Sequence, residues 1–341
     1  MNSEYSFRLE KIEAALNSLL PENPGKNWIK NVFNLSTQFY AFDEKFIHTL
    51  LQPCRDLLNR GGKRWRPLLM LLIAESLGAK DEDILPLTPL VELCHNASLI
   101  HDDIEDNSPE RRGKPSVHLL YGNDTAINSG AFLYFLPLAC LSSSKLPDEV
   151  KARIRVTWDE HIRRLHLGQS MDIAWHRDFR SLPSIDEYEL MCRLKTGCLA
   201  GMAAEFGVYT VNPDDETLAK SFGDHCECIG IGFQILDDVK NLTTGLPGKK
   251  RGDDIVEGKK SLPVIIYLNR YPEKMNFAVN CFNAARHGGV DAAEVDLFID
   301  ELKSKGILEE AAARGNEMIK NGGDFLSEKS ALLAGFTDLI D

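Results

Sequence analysis

Every long apolar stretch of this chain repeats at a helical period, and none alternates at the period of two that a half-buried strand requires. Phe7, Ile12, Leu16, Leu19 and Leu20 approximate one helical face, closed by residues 21–25 with Pro21, Pro24 and Gly25. A strongly apolar run follows over 66–77, with Pro67 in its first turn, where a missing N–H costs little, and Gly78 after it. Residues 85–106 are expected to form a long helix that opens near Pro86 and Pro89 and stops at Ser108-Pro109. Further helices are expected over 125–141, 147–175, 185–210, 216–242, 262–271, 290–305 and 307–319. The strongest loop signals, rich in Gly, Pro and charge, fall at 107–115 and 243–260. No solenoid repeat or low-complexity linker divides the chain. The expectation is an all-α fold with one domain over 1–341.

A hydrophobic content of 43% over 341 residues is enough for a large core. The net charge of −12 argues against nucleic acid as a partner and against electrostatic docking on anionic membranes. Any anionic ligand must therefore be met locally, by metal ions or by a few placed cations. The eight cysteines show no CxxC spacing, and several lie in apolar runs, as expected of reduced core thiols in a cytoplasmic protein. The N-terminus mixes Glu4, Glu10 and Glu13 into its first turns, unlike a signal peptide. The longest apolar runs, 68–74 and 131–141, fall short of the roughly 20 residues that span a bilayer, so no integral membrane segment is expected.

Two clusters carry the chemistry. His101-Asp102-Asp103-Ile104-Glu105-Asp106 ends an otherwise apolar helix, and Asp102 and Asp106, four apart, share its face. Like charges at that spacing repel, and a helix C-terminus disfavours anions. A divalent cation resolves both conflicts, and Mg²⁺ typically takes one or two carboxylates plus substrate phosphates. A solvated acidic helix end is the plainer alternative for one such motif alone. A second occurrence weighs against it: Gln234-Ile235-Leu236-Asp237-Asp238-Val239-Lys240-Asn241 follows an apolar run and repeats the spacing at Asp237 and Asn241. Two such ends could face each other and hold a metal-bridged diphosphate.

Cations accompany both clusters. Gly61-Gly62-Lys63-Arg64-Trp65-Arg66-Pro67 sets basic residues and flexible backbone before a helix start, a natural anion site. Arg111-Arg112-Gly113-Lys114 follows the first acidic motif, and Lys249, Lys250, Arg251, Lys259 and Lys260 follow the second. Arginine forks match phosphate oxygens in pairs, whereas lysine acts as a point charge.

GGKRWRP, HDDIEDNSPERRGKPSVH, GQSMD, KTG, FQILDD and GKKRGDDIVEGK, in that order between residues 61 and 263, resemble the motifs of the trans-isoprenyl diphosphate synthases. The likeness is greatest to geranylgeranyl and farnesyl diphosphate synthases. It implies an all-α bundle around a central cavity, with both acidic helix ends at its mouth. It also implies condensation of an allylic diphosphate with isopentenyl diphosphate, three Mg²⁺ per site and a homodimer. By the same resemblance Asp102, Asp103 and Asp106 form the first aspartate-rich motif, with Asp102 and Asp106 as principal metal ligands. Asp237 and Asp238 form the second and hold a further ion. Lys63, Arg66, His95 and Arg112 would bind the diphosphate of isopentenyl diphosphate. Arg111, Lys195, Gln234 and Lys259 would grip the allylic diphosphate, together with Lys249 or Lys250. Thr196 would place the allylic chain, and Gln169 and Asp172 would support the polar wall. Asn241 stands where most members carry a third Asp, which puts its ligand role in question.

Ala97 and Ser98 lie one turn before Asp102, where members that stop at fifteen carbons carry an aromatic ring. Small side chains here imply a longer product, geranylgeranyl diphosphate or beyond, with Phe132 and Phe135 as candidate floors. Other readings fit less well. A metal phosphohydrolase of the His-Asp type needs further histidines and leaves the second acidic block unexplained. A terpene cyclase needs a hydroxyl and a Glu at helical spacing, which residues 241–245 do not supply. A non-catalytic regulatory relative usually loses an aspartate motif, and this chain keeps both. A farnesyl diphosphate synthase stays open as the shorter-product alternative.

Overall fold

The computed structural model describes residues 3–35, 45–245 and 250–340. In chain order the helices are α1 (Ser3–Leu19), α2 (Lys26–Phe33), α3 (Lys45–Asn59), α4 (Trp65–Ser76), α5 (Asp81–Ile84) and α6 (Pro89–Glu105). A ribbon of β1 (Glu110–Arg111) and β2 (Lys114–Pro115) follows, then α7 (Val117–Tyr121), α8 (Asn123–Phe135), α9 (Leu138–Ser143) and α10 (Asp148–Arg177). The remainder is α11 (Ile185–Cys192), a π turn (Arg193–Gly197), α12 (Cys198–Val211), α13 (Glu216–Thr243), α14 (Asp253–Glu257), α15 (Leu262–Arg270), α16 (Met275–Gly288), α17 (Ala293–Ser304), α18 (Ile307–Lys329) and α19 (Phe336–Ile340). The all-α expectation holds. The four-residue ribbon escapes a periodicity reading because two residues per strand cannot alternate visibly. Helices α2, α3, α5, α7, α14, α16 and α19 were absent from the sequence-based expectation, and α14 lies in the stretch 243–260 read as a loop.

The contacts divide the chain into two compact units. Unit 1 comprises Met1–Thr157, Met202–Ala219 and Leu339–Asp341. Its centre is α4, buried from Arg66 to Ala74 on every side, as an apolar-all-round helix must be. Helix α1 covers it with Tyr5, Ile12 and Leu16, and Arg8 pins α1 to α4 through Glu75 at 2.8 Å. Phe7 is 57% exposed with Lys11 over its ring, so the buried face of α1 runs through Tyr5 instead. The stretch Asn123–Ser143 has mean hydropathy 1.3 and passes for a membrane span by length and composition, more than the run 131–141 suggested. It is divided into α8 and α9 at 136–137, and 44% of it is buried.

Unit 2 comprises Trp158–Gly201 and Lys220–Asp338. Its core gathers Tyr188, Ile231, Ile235, Leu242, Tyr267 and Phe282 with the inner faces of α17 and α18. Phe298 packs edge-on against Tyr267 and Phe282, at centroid distances of 5.9 and 5.5 Å, a geometry aromatic rings favour. All eight cysteines are free, and all but Cys228 are buried.

Candidate active site

In unit 1 the first acidic motif is the last turn of α6. Asn107 adopts left-handed backbone (φ 52°), and the Ser108 N–H reaches back to the Asp103 carbonyl at 2.9 Å. That is a Schellman stop, for which Asn is the usual alternative to Gly. The helix therefore ends on its carboxylates. Asp103 is fully buried and accepts from the Arg111 Nε at 2.8 Å and from its Nη2. Burial pushes the Asp103 carboxyl upward, and Arg111 pulls it back. Arg111 Nη2 also lies 3.4 Å from Asp102 Oδ2.

Arg111 reaches α6 because the ribbon turns tightly: Arg112 (φ 52°) and Gly113 (φ 76°) are the two central residues of a type I′ hairpin. Arg60, just past the end of α3, donates to the Arg111 carbonyl at 2.9 Å, and Arg112 donates to the Gly61 carbonyl. The ribbon is thereby tied to the loop before α4, which carries Lys63; Arg66 follows in the first turn of α4. Burial depresses the Arg112 guanidinium to about 10; Glu92 opposes this, and the charges of Arg64, Arg111 and Arg66 reinforce it. Burial also holds His95 well below its usual range, helped by Arg66, Arg112, Arg111 and Arg64, so its imidazole is neutral. Arg66, His95 and Arg112 are thus close enough to act on one another electrostatically, and Lys63 is exposed on the loop before α4. Arg64, unassigned by the sequence reading, holds that loop: it is buried, has φ 50°, and pairs with Glu92 and Glu13, each at 2.8 Å. A glutamate inside the apolar run of α6 was its signal.

Asp102 and Asp106 share the final turn of α6 beside Arg111, both partly exposed. Among the described residues no group of three or more His, Cys, Asp and Glu is arranged for a metal. Two carboxylates on one turn fit a cation that takes the rest of its oxygens from water or phosphate, as Mg²⁺ does. Ala97 is fully buried; Ser98 is partly exposed, shares the Asp102 face, and donates to the His95 carbonyl at 2.8 Å. Of the candidate floors, Phe132 stacks on Phe33 at 5.6 Å, while Phe135 is 62% exposed and is no floor in this chain.

In unit 2 the second motif sits near the end of α13. Asp238 is buried with both oxygens engaged. Gln234 Nε2 donates to Oδ1 at 3.0 Å; Tyr188 Oη and the Leu262 N–H donate to Oδ2 at 2.7 and 3.1 Å. Burial and the nearby Asp254 push this carboxyl up to about 7 against those donors. Asp237, the residue before it, is exposed. Thr196 Oγ1 donates to Gln234 Oε1 at 2.9 Å, and Lys195 Nζ meets Asp172 Oδ2 at 2.6 Å. One polar chain therefore joins Thr196, Gln234, Asp238 and Tyr188, beside the Lys195–Asp172 pair. Gln169 lies on α10 one turn before Asp172.

Asn241 is 1% exposed, and its Oδ1 accepts the Asp254 N–H at 3.2 Å, so it joins α13 to α14. Lys259 pairs with Glu257 at 2.8 Å, and the Lys250 N–H donates to Asp253 at 2.6 Å. Lys249 lies outside the described residues. Tyr188 and Asp254 were missed by sequence reasoning, since nothing in their neighbourhoods announces a buried hydrogen bond or a buried carboxylate.

Residues 47–295 match the polyprenyl synthetase family. The chain is 34% identical over 272 residues to a geranylgeranyl pyrophosphate synthase of Geoglobus acetivorans, covering 80% of this chain and 82% of that one. It is 37% identical over 282 residues to a geranylgeranyl pyrophosphate synthase of Neocamarosporium betae, covering 79% of each. The crystal structure of geranylgeranyl pyrophosphate synthetase from Pyrococcus horikoshii superposes with a TM-score of 0.82 at 28% identity, over 99% of this chain and 97% of that one. With its motifs in the family's order and its fold shared, the chain belongs to the polyprenyl synthetase family of trans-isoprenyl diphosphate synthases and is a prenyltransferase.

Proposed function

We propose that the protein condenses isopentenyl diphosphate with an allylic diphosphate, in a Mg²⁺-dependent reaction, to make geranylgeranyl diphosphate. The observation that carries this reading is the acidic end of α6, where Asp102 and Asp106 share one turn beside an arginine already committed to Asp103. Asp102, Asp106 and Asp237 are the proposed metal ligands, for three ions per site. Bound Mg²⁺ would neutralise the charge that builds on a departing diphosphate. Asp103 and Asp238 hold their neighbours in place from buried positions.

Lys63, Arg66, His95 and Arg112 are assigned to the diphosphate of isopentenyl diphosphate. Neutral His95 offers a directed hydrogen bond there, while the arginines supply charge and forked geometry. Arg111, Lys195, Gln234 and Lys259 are assigned to the allylic diphosphate, with Lys249 or Lys250, and Thr196 to placing the allylic chain. Departure of that diphosphate leaves an allylic cation, the double bond of isopentenyl diphosphate attacks it, and a proton leaves to the released pyrophosphate. The side chains contribute position and charge rather than covalent chemistry. Ser98, small and on the Asp102 face, is the proposed gate for a tail longer than fifteen carbons.

The whole chain, 1–341, is read as one catalytic domain acting as a cytoplasmic homodimer, without an integral membrane segment. Free, largely buried cysteines agree with a reducing compartment. Leu119, Leu120, Ile127 and Phe135, apolar and roughly half or more exposed on α7 and α8, offer a surface for a second copy.

The test is a product assay with labelled isopentenyl diphosphate and, in turn, dimethylallyl, geranyl and farnesyl diphosphate. Twenty-carbon prenols that vanish with chelator and return with Mg²⁺ are expected. No elongation from any starter would overturn the reading in favour of a regulatory subunit.

A further inference from the structure

Lys195 and Thr196 sit in an unusual piece of backbone. The helical run 185–211 is interrupted by a single π turn, Arg193–Gly197. Such turns are rare, cost stability, and persist where their surroundings hold them. Here the surroundings can be named. A side-chain carbon on Gly168 of α10 would lie 2.4 Å from the Lys195 backbone nitrogen. One on Gly230 of α13 would lie 2.8 Å from the Gly197 Cα. Backbone thus meets backbone on both sides of the turn.

Close approach alone does not fix how the turn is rotated. A buried ion cluster on its far side does. Glu227 of α13 is 2% exposed, with Oε2 on Arg193 Nη1 at 2.8 Å and Oε1 on Arg164 Nη2 at 2.6 Å. Arg193 is the first residue of the π turn, and Arg164 lies on α10 one turn before Gly168. Gly201 leaves the carboxylate its room, since a side-chain carbon there would come within 2.9 Å of Glu227 Cγ and Oε1. The last residue of the turn touches the same place: a carbon on Gly197 would lie 3.0 Å from the Glu227 carbonyl. One residue therefore holds both ends of the π turn, through its carboxylate and through its backbone. A carboxylate is buried this deeply only when paired, so its two arginines also fix α10 against α13.

We propose that Glu227 is a positioning residue for prenyl transfer: bridged to Arg164 and Arg193, it sets the π turn so that Lys195 and Thr196 are presented to the allylic diphosphate. The proposal rests on the assignment of Lys195 to that diphosphate. Glu227 touches no substrate itself. Its removal lets the turn relax towards α-helix, which rotates Lys195 away from Asp172 and Thr196 away from Gln234.

The test compares Glu227→Gln, Lys195→Ala and the double variant in steady-state assays that vary each substrate separately. Glu227→Gln is expected to raise KM for the allylic diphosphate about tenfold, within the roughly hundredfold that a misplacement of about 1 Å can cost, and to leave KM for isopentenyl diphosphate unchanged. In the Lys195→Ala background the same substitution should add little, because its effect runs through that lysine. Arg193→Gln, on the partly exposed arm of the cluster, should reproduce the split if Glu227→Gln does not fold. A loss of melting temperature without the KM split, or an equal rise for both substrates, would overturn the proposal. If Lys195→Ala raises the allylic KM and Glu227→Gln does not, the positioning role alone fails. If Lys195→Ala leaves that KM unchanged, the assignment of Lys195 fails and takes the positioning role with it.

Discussion

Replacing Tyr188 with Phe removes one hydroxyl and little else; that hydroxyl donates to Asp238 at 2.7 Å and also meets the Cys192 thiol. Both side chains are buried, so water cannot replace the donor. After the substitution Oδ2 keeps only the Leu262 N–H at 3.1 Å. With Asp238 ionised, loss of a hydrogen bond to a buried charge costs about 2 kcal/mol, and with it protonated about 1 kcal/mol. Asp238 is pushed up to about 7, from 3.8, so pH 8 and pH 6 sample those two states. An acid raised in this way gives its stability contribution below pH 3.8 and loses it as pH rises through about 7. The Tyr188 hydroxyl is among the groups that lower Asp238, so its removal raises that carboxyl further. The variant's native state then holds the proton to higher pH, and its stability deficit widens with rising pH. At about 2–4 °C per kcal/mol for a unit of this size, the melting temperature should fall by about 4–8 °C at pH 8 and about half that at pH 6. Thermal melts of both proteins in chelator, at both pH values, measure it. An equal deficit at the two pH values, or a larger one at pH 6, would refute the assignment of the proton to Asp238.

Three further outcomes follow from the same geometry. Arg111→Met strands the fully buried Asp103 without its cation, and chemical denaturation should show a loss of about 3 kcal/mol as well as reduced activity. Ser98→Phe should shorten the main product towards fifteen carbons on chromatography of the prenols; Ala97→Phe, at a fully buried position, should instead lower stability by about 1–3 kcal/mol through overpacking. Asn241→Ala removes the acceptor of the Asp254 N–H and should cost about 1–2 kcal/mol on denaturation, while the Mg²⁺ concentration for half-maximal activity stays unchanged.

Much of the site was legible because its logic is local. Spacing of four placed Asp102 with Asp106 on one face, and the Schellman stop at Asn107 bears out a helix that ends on its acids. Asn241 was doubtful as a ligand from sequence, and its buried bond to Asp254 gives the physical reason. Less legible was whatever depends on partners distant in sequence. Residues 185–210 read as one uninterrupted helix because a π turn leaves no periodic mark and is held from outside, by Gly168, Glu227 and Gly230. The same holds for Tyr188, fifty residues from Asp238 and silent until the two are brought together. Phe7 misled for a simpler reason: a lone aromatic on a surface helix can lie under a lysine rather than in the core. Phe135 misled likewise, being apolar and exposed.

If Asp102 and Asp106 hold the metal that assists loss of the allylic diphosphate, a Mg²⁺ titration of the reaction will depend on them. Initial rates of isopentenyl incorporation would be measured against Mg²⁺ concentration for the native protein and for Asp102→Asn combined with Asp106→Asn. In the double variant kcat should fall by about a hundredfold or more at saturating substrates and the Mg²⁺ requirement should rise, while the melting temperature in chelator holds or increases because repulsion at the helix end is relieved. A double variant with native kcat and native Mg²⁺ dependence would contradict that role for the two aspartates.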